Sequence, residues 1–209
     1  MKRLVLLSTA LCAFVSGCSS EQLLNDDTTP TVDSGTATES ASEKPQAQAF
    51  VFDSGVLEIG DFDPYTIGDN IFDPCTEITP EEFAAAGFED VEPLPEKYAG
   101  ISGGMKSCIL NSDSGENSVT ISNNISNRSV IEDAYGTEQK WQSMSLPEMY
   151  VFSPRIGAST GCFAQVDTVR GAVAMLAVGI GLSSSLESNC AKAQKALETL
   201  FTSHSAHSQ

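Results

Sequence analysis

From Met105 onward, apolar and polar positions alternate with a period of two, interrupted by short polar gaps. In "MKSCILNSDSGENSVTISNNI" the residues Val119, Ile121 and Ile125 alternate with Thr120, Ser122 and Asn124. The intervening "SDSGE" is rich in residues that accept positive φ, so the stretch predicts a hairpin with one core face and one wet face. Residues 148–153, 161–169 and 171–182 predict three further strands. In the second of these, Cys162, Ala164 and Val166 share a face, and "GAVAMLAVGIGL" suits a buried central strand. The rhythm then changes to that of a helix: over 189–203 it places Cys190, Ala193, Leu197, Leu200 and Phe201 on one stripe. "NRSVIEDAYG" reads as a short helix stopped by Gly136.

The first half carries one clear element, in "IFDPCTEITPEEFAAAG". Thr79 is a good N-cap, Pro80 takes the first helical position and Glu82 completes a capping box. Ile78 and Phe83 form a hydrophobic staple, and Gly87 ends the helix after about two turns. The element order is helix, two strands, helix, three strands, helix. Short connections between strands predict an α+β fold: a single domain over 49–209 with an antiparallel sheet of about five strands, packed on one face by short helices and a C-terminal helix. "FDPYTI" from Phe62 and "FDPCTEI" from Phe72 echo one another.

The residues before this domain have a different character. "MKRLVLLSTALCAFVSGCSS" has two basic residues, an apolar run from Leu4 to Val15 and small residues up to a cysteine, the layout of a secretory signal peptide over 1–17. The run is shorter than the roughly 20 residues a membrane span needs. "VSGC", Val15 to Cys18, resembles the bacterial lipobox. Such a signal implies cleavage before Cys18, lipidation of its thiol, and a fatty acyl chain such as palmitate on the new amino terminus. Each buried methylene would contribute about 0.8 kcal/mol to anchoring. Residues 18–48 after it are Ser, Thr, Asp and Glu with almost no apolar content, and read as a disordered acidic tether. Its reach is on the order of 30 Å.

Charge and cysteines narrow the picture further. With 28 acidic and 11 basic residues and a net charge of −17, the chain is a poor partner for nucleic acid or for a polybasic membrane contact. The acid between Asp53 and Glu96 reads as a solvated surface that keeps an exported protein soluble. Of the six cysteines, Cys12 leaves with the leader and Cys18 takes lipid. Cys75, Cys108, Cys162 and Cys190 remain, and in an exported domain four cysteines imply two disulfides. Three connectivities are open. The pairing expected is Cys75 with Cys108 and Cys162 with Cys190, because each joins neighbouring elements.

"FDPCTEITPEEFAAAGF", "KSCIL", "GCFAQVDTVRGAVAMLAVGI" and "NCAKAQKALETL" together resemble the actinobacterial lipoproteins grouped as domain of unknown function 3558. The resemblance runs from about Asp61 to Phe201. It departs at Ile109 and Leu110, where a tryptophan is expected nearby. It implies an exported, lipid-anchored, two-disulfide domain and brings no activity, cofactor or catalytic residue.

The chemistry written in the chain is sparse. Asp61, Asp63 and Asp69 miss the EF-hand spacing, since Tyr65 and Thr66 stand where Asp or Asn and Gly are needed. No Cys/His spacing suits zinc, so no metal or cofactor is expected. Both histidines, His204 and His207, fall in a polar tail, which removes a Ser-His-Asp triad. "NIS" at Asn124 and "NRS" at Asn127 match sequons and read as chance. Trp141 and Tyr150, in "KWQSMSLPEMYVF", are the aromatic candidates for a ligand or partner surface. The expectation is a non-catalytic binding or interaction domain held on the outer side of the cell membrane through Cys18. Its partners would be the membrane lipid and an envelope protein or small apolar ligand. The alternative is an envelope hydrolase acting through paired carboxylates.

Overall fold

The computed structural model describes residues 48–98, 104–111, 117–154, 161–179 and 185–205. The leader, Cys18, residues 19–47 of the tether, the "SDSGE" turn and His207 lie outside the described residues. Among the described residues no helix is long and apolar enough to cross a membrane.

The domain opens with a hairpin that the sequence reading did not anticipate, β1 (Ala49–Phe52) and β2 (Gly55–Glu58). Its alternation is short but clean. Phe50, Phe52 and Leu57 point inward and are buried, whereas Val51 and Val56 face each other on the exposed side. Phe50 meets Phe201 edge-on at 5.3 Å, which seats the hairpin on the closing helix.

The two "FDP" echoes build the same local device twice. In each, the Asp side chain accepts from the backbone N–H two residues on, Tyr65 at 2.9 Å and Cys75 at 3.0 Å. In each, the Asp carbonyl accepts from the residues three and four further along. The proline after each Asp has no N–H to lose and a φ already suited to a helical turn. The first copy stops as a turn, and the second becomes α1 (Pro74–Glu77).

Next comes α2 (Pro80–Ala85), with the expected capping box between Thr79 and Glu82. Ile78 and Phe83, the staple residues, are both buried in the core. At its other end Gly87 takes φ +78°, donates to the Ala84 carbonyl and lets Phe88 N–H reach the Phe83 carbonyl at 2.9 Å. This is a Schellman ending, which needs a residue without Cβ strain at that point.

The main sheet is antiparallel throughout, in the order β3-β4-β5-β8-β7-β6. Its strands are β3 (Glu89–Pro93), β4 (Ser107–Asn111), β5 (Asn117–Asn124), β6 (Tyr150–Phe152), β7 (Cys162–Thr168) and β8 (Gly171–Gly179). The α+β class with its antiparallel sheet, short helices and C-terminal helix is therefore present, with a sixth strand, β3, added at one edge. Ile121 pairs with Met175 and Met175 with Ala164, and this line of buried side chains marks the middle of the core. Gly171, at φ +89°, closes the β7–β8 turn; a Cβ there would meet the Asn124 carbonyl at 3.3 Å.

Both faces of the sheet are covered, which corrects the expectation of helices on one face. α4 (Leu186–His204) lies on the main core with Cys190, Ala193, Leu197, Leu200 and Phe201 buried as the stripe requires. α3 (Arg128–Tyr135), capped by Asn127, sends Ile131 into a smaller cluster on the opposite face with Tyr150, Phe152, Phe163 and Ala174. A second correction concerns Ile125, which is 48% exposed. Its expected place on the core face ends one step earlier at Asn123. That buried amide donates to the Phe72 carbonyl at 2.9 Å and accepts from Lys106 N–H at 2.9 Å, and β5 stops at Asn124.

Two disulfides close as expected, Cys75–Cys108 and Cys162–Cys190. The first ties α1 to β4 and the second ties β7 to α4. Loops of 33 and 28 residues would each contribute about 3 to 4 kcal/mol on the chain-entropy model.

Candidate functional site

Trp141 and Tyr150 line one cavity of about 210 Å³, together with Arg128, Glu138, Met149 and Val151. Local bonds fix the wall. Glu138 N–H donates to the Val151 carbonyl at 2.8 Å on the free side of β6, and Trp141 N–H donates to the Glu138 carbonyl at 3.1 Å. Trp141 is thereby pressed, partly buried, against the core, and Lys140 sits 5.0 Å from its ring centre.

Tyr150 is buried to 3% exposure, and its hydroxyl belongs to a polar network. It donates to Asp167 Oδ1 at 2.7 Å and accepts from Gln165 Nε2 at 2.5 Å. Asp167 Oδ2 accepts from Arg128 N–H at 2.8 Å. Gln165 also bonds the Ser126 carbonyl and accepts from Asn124 Nδ2 at 2.9 Å. The Arg128 guanidinium covers the Tyr150 ring at 4.4 Å and reaches the Glu148 carbonyl. Burial pushes the Asp167 carboxyl up from its ordinary value, and the donors around it offset only part of that. Burial, then the neighbouring Asp167 charge, drive the Tyr150 phenol far upward, so it stays a donor.

This network joins β5, β6, β7 and the start of α3. Sequence reading missed its members apart from Tyr150. The signal was there in "FAQVD", where Gln165 and Asp167 occupy alternate positions of a strand whose other face carries Ala164 and Val166. The two sequon asparagines are engaged as well: Asn124 as above, while Asn127 caps α3 and donates to the Phe62 carbonyl.

A second feature lies at the opposite edge of the sheet. A groove of about 520 Å³ is lined by Ile78, Phe83, Phe88 and Val91 beside Cys75, with Glu89 and Asp90 on its rim. Another of about 500 Å³ runs from Cys75 past Pro93 and Leu94 to Met105. Both fall in the range of about 300 to 1,000 Å³ common to ligand clefts, and the Trp141 cavity falls below it.

Among the described residues three carboxylates have clearly shifted affinities for protons, and all three serve the scaffold. Burial alone would raise Glu77, but bonds from Arg170 and the Asp73 N–H bring it below its usual value. Burial likewise opposes, and bonds from Thr79 and the Asp53 N–H outweigh, in lowering Glu82. Asp167 is held as described. Among the described residues no group of three or more His, Cys, Asp or Glu side chains is placed to hold a metal ion.

Comparison with known families gives a match over most of the chain. The model described as "Protein of unknown function (DUF3558)" matches residues 13–203. No curated protein and no solved structure matches the chain.

Proposed function

The chain belongs to the DUF3558 family, and on that footing we propose that it is a lipid-anchored, extracytoplasmic binding or interaction domain without catalytic activity of its own. The anchor rests on the signal-peptide layout and on "VSGC" ending at Cys18. Two disulfides in a domain of this size accord with an oxidising compartment.

The observation that carries the non-catalytic reading is the fate of the perturbed carboxylates. Groups tuned for acid or base work sit in clefts with an atom free for substrate. Here Glu77, Glu82 and Asp167 have their oxygens occupied by Arg170, Thr79, Asp53, Tyr150 and Arg128 donors. The grooves beside the Cys75–Cys108 bridge have an apolar floor, with the exposed carboxylates Glu89 and Glu96 at their margins.

The test has two arms. Mass spectrometry of the full chain purified from a bacterial host is expected to show loss of residues 1–17 and lipid on Cys18, with Cys18→Ala moving the protein to the soluble fraction. On a panel of glycoside and ester substrates it is expected to give no turnover above the blank. Turnover abolished by Glu77→Gln, Glu82→Gln or Asp167→Asn in a folded variant would establish the hydrolase alternative.

A further inference from the structure

The two grooves meet at Cys75, and β3, the outermost strand of the sheet, runs along them. Ile78 and Phe83 form a buried floor, and the partly buried Cys75, Phe88, Val91, Leu94 and Met105 stand around it. Two grooves of about 520 and 500 Å³, apolar at the floor and acidic at the margin, offer room for a partner's side chains. We infer that the grooves along β3 are a docking surface for a basic segment of a partner protein that carries apolar side chains.

Charge selects the occupant. Glu89 and Glu96 are exposed in the linings of the two grooves, and no lysine or arginine occurs between Asp53 and Glu96. Lys106, on the wall of the second groove, is outnumbered. An apolar segment flanked by Lys or Arg satisfies floor and rim together, whereas an anionic lipid surface or a second copy of this chain, net charge −17, would be repelled.

The backbone settles how that segment binds. A free edge strand ordinarily invites another strand to add to it. β3 is poorly suited: Asp90 has φ +50°, the pairing register breaks between Glu89 and Glu92, and Pro93 has no N–H to offer. The partner therefore docks by side chains set into the grooves, with the acids at the rim fixing its orientation.

This inference rests on the reading of the domain as an interaction module, and the experiment separates the two. The full chain in detergent is titrated by fluorescence anisotropy with three labelled peptides of equal length: alternating Lys/Leu, Lys/Ser and Glu/Leu. Hydrogen exchange is followed over residues 88–94. The Lys/Leu peptide is expected to bind roughly tenfold or more tighter than either control and to protect β3. Glu89→Lys/Glu96→Lys and Val91→Ser are expected to weaken it, each checked for an unchanged melting temperature. Glu132→Lys/Asp133→Lys on α3 serves as the matched charge control and is expected to have little effect.

Equal binding of Lys/Leu and Lys/Ser would reduce the effect to bulk charge and overturn the proposal. So would equal weakening by the α3 control, or self-association of the chain abolished by the groove variants. Any of these results leaves the non-catalytic reading standing, because that reading depends on the turnover panel.

Discussion

Arg170, in the turn between β7 and β8, holds Glu77 at the end of α1 through two hydrogen bonds, 2.6 Å to Oε2 and 2.9 Å to Oε1. Its backbone carbonyl takes Phe72 N–H at 2.9 Å, and its guanidinium lies 5.8 Å from the Phe72 ring centre. One residue of a hairpin turn thus holds the approach to Cys75 at both Phe72 and Glu77. Both side chains are less than a third exposed, so solvent weakens the pair less than it would a surface ion pair. Arg170→Ala is expected to destabilise the domain by about 1 to 3 kcal/mol in urea denaturation. Arg170→Lys should recover less than half of that, because a single ammonium cannot repeat the forked geometry.

The acid side of the stability profile should contain two opposing components. Glu77 and Glu82 have folded values below the ordinary 4.5. Their stabilisation is complete above that value and is lost as pH falls through the folded values. Asp167 is raised above the ordinary 3.8, so the folded state binds its proton more tightly than the unfolded chain. Its contribution is present at low pH and is lost as pH rises from 3.8 through the raised value. Melting temperature against pH should therefore show Glu77→Gln flattening the acid limb. Asp167→Asn should gain on the parent protein as pH rises through the Asp167 window. A constant offset between Asp167→Asn and the parent across that window would contradict the assignment.

The two disulfides should differ in access to reductant. Cys162 and Cys190 are at 0% and 1% exposure, whereas Cys75 is only partly buried at the meeting of two grooves. Under limiting phosphine with differential alkylation, label is expected on Cys75 and Cys108 first. Removal of either bridge by paired Cys→Ala substitution is expected to cost about 3 to 4 kcal/mol.

Asn123→Leu tests the polar anchor that ends β5. The change is apolar for polar at a buried position, yet it leaves the Phe72 carbonyl and Lys106 N–H without their partner. A loss of about 1 to 3 kcal/mol is expected, measured by chemical denaturation. A neutral or stabilising result would mean that local backbone shifts re-satisfy both groups.

What the sequence disclosed was what local chemistry alone determines. The Thr79–Glu82 box, the Gly87 ending, the alternation of Cys162, Ala164 and Val166, and the stripe of α4 all stand in the structure as read, and so does the cysteine pairing. What escaped was set by distant partners. "EDVEP" has little strand preference of its own, and β3 exists because β4 lies beside it. Ile125 obeyed the period but lost its place to Asn123, whose value comes from the Phe72 carbonyl 51 residues away. The Gln165–Asp167 network was hidden because a polar residue in a strand normally signals water, and here α3 covers it.

Trp141 and Tyr150 illustrate the same divide at the level of the site. Sequence singled out two aromatics in an acid-poor stretch, and both border one cavity. It could not show that the Tyr150 hydroxyl turns away into the sheet, nor that larger openings surround Cys75.

The chain from Ile59 to Ile78 has almost no regular structure, yet Cys108, Asn123 and Arg170 grip it, respectively 33, 51 and 93 residues beyond their partners Cys75, Phe72 and Glu77. Every one of those holders is synthesised later than the segment it holds. A chain emerging from its amino end must carry this stretch unsettled until the β7–β8 turn has appeared, since long-range closure cannot be offset before its partners exist. The early residues of the domain are thus among the last to find their place, and Cys75 has no partner for its bridge until Cys108 has emerged.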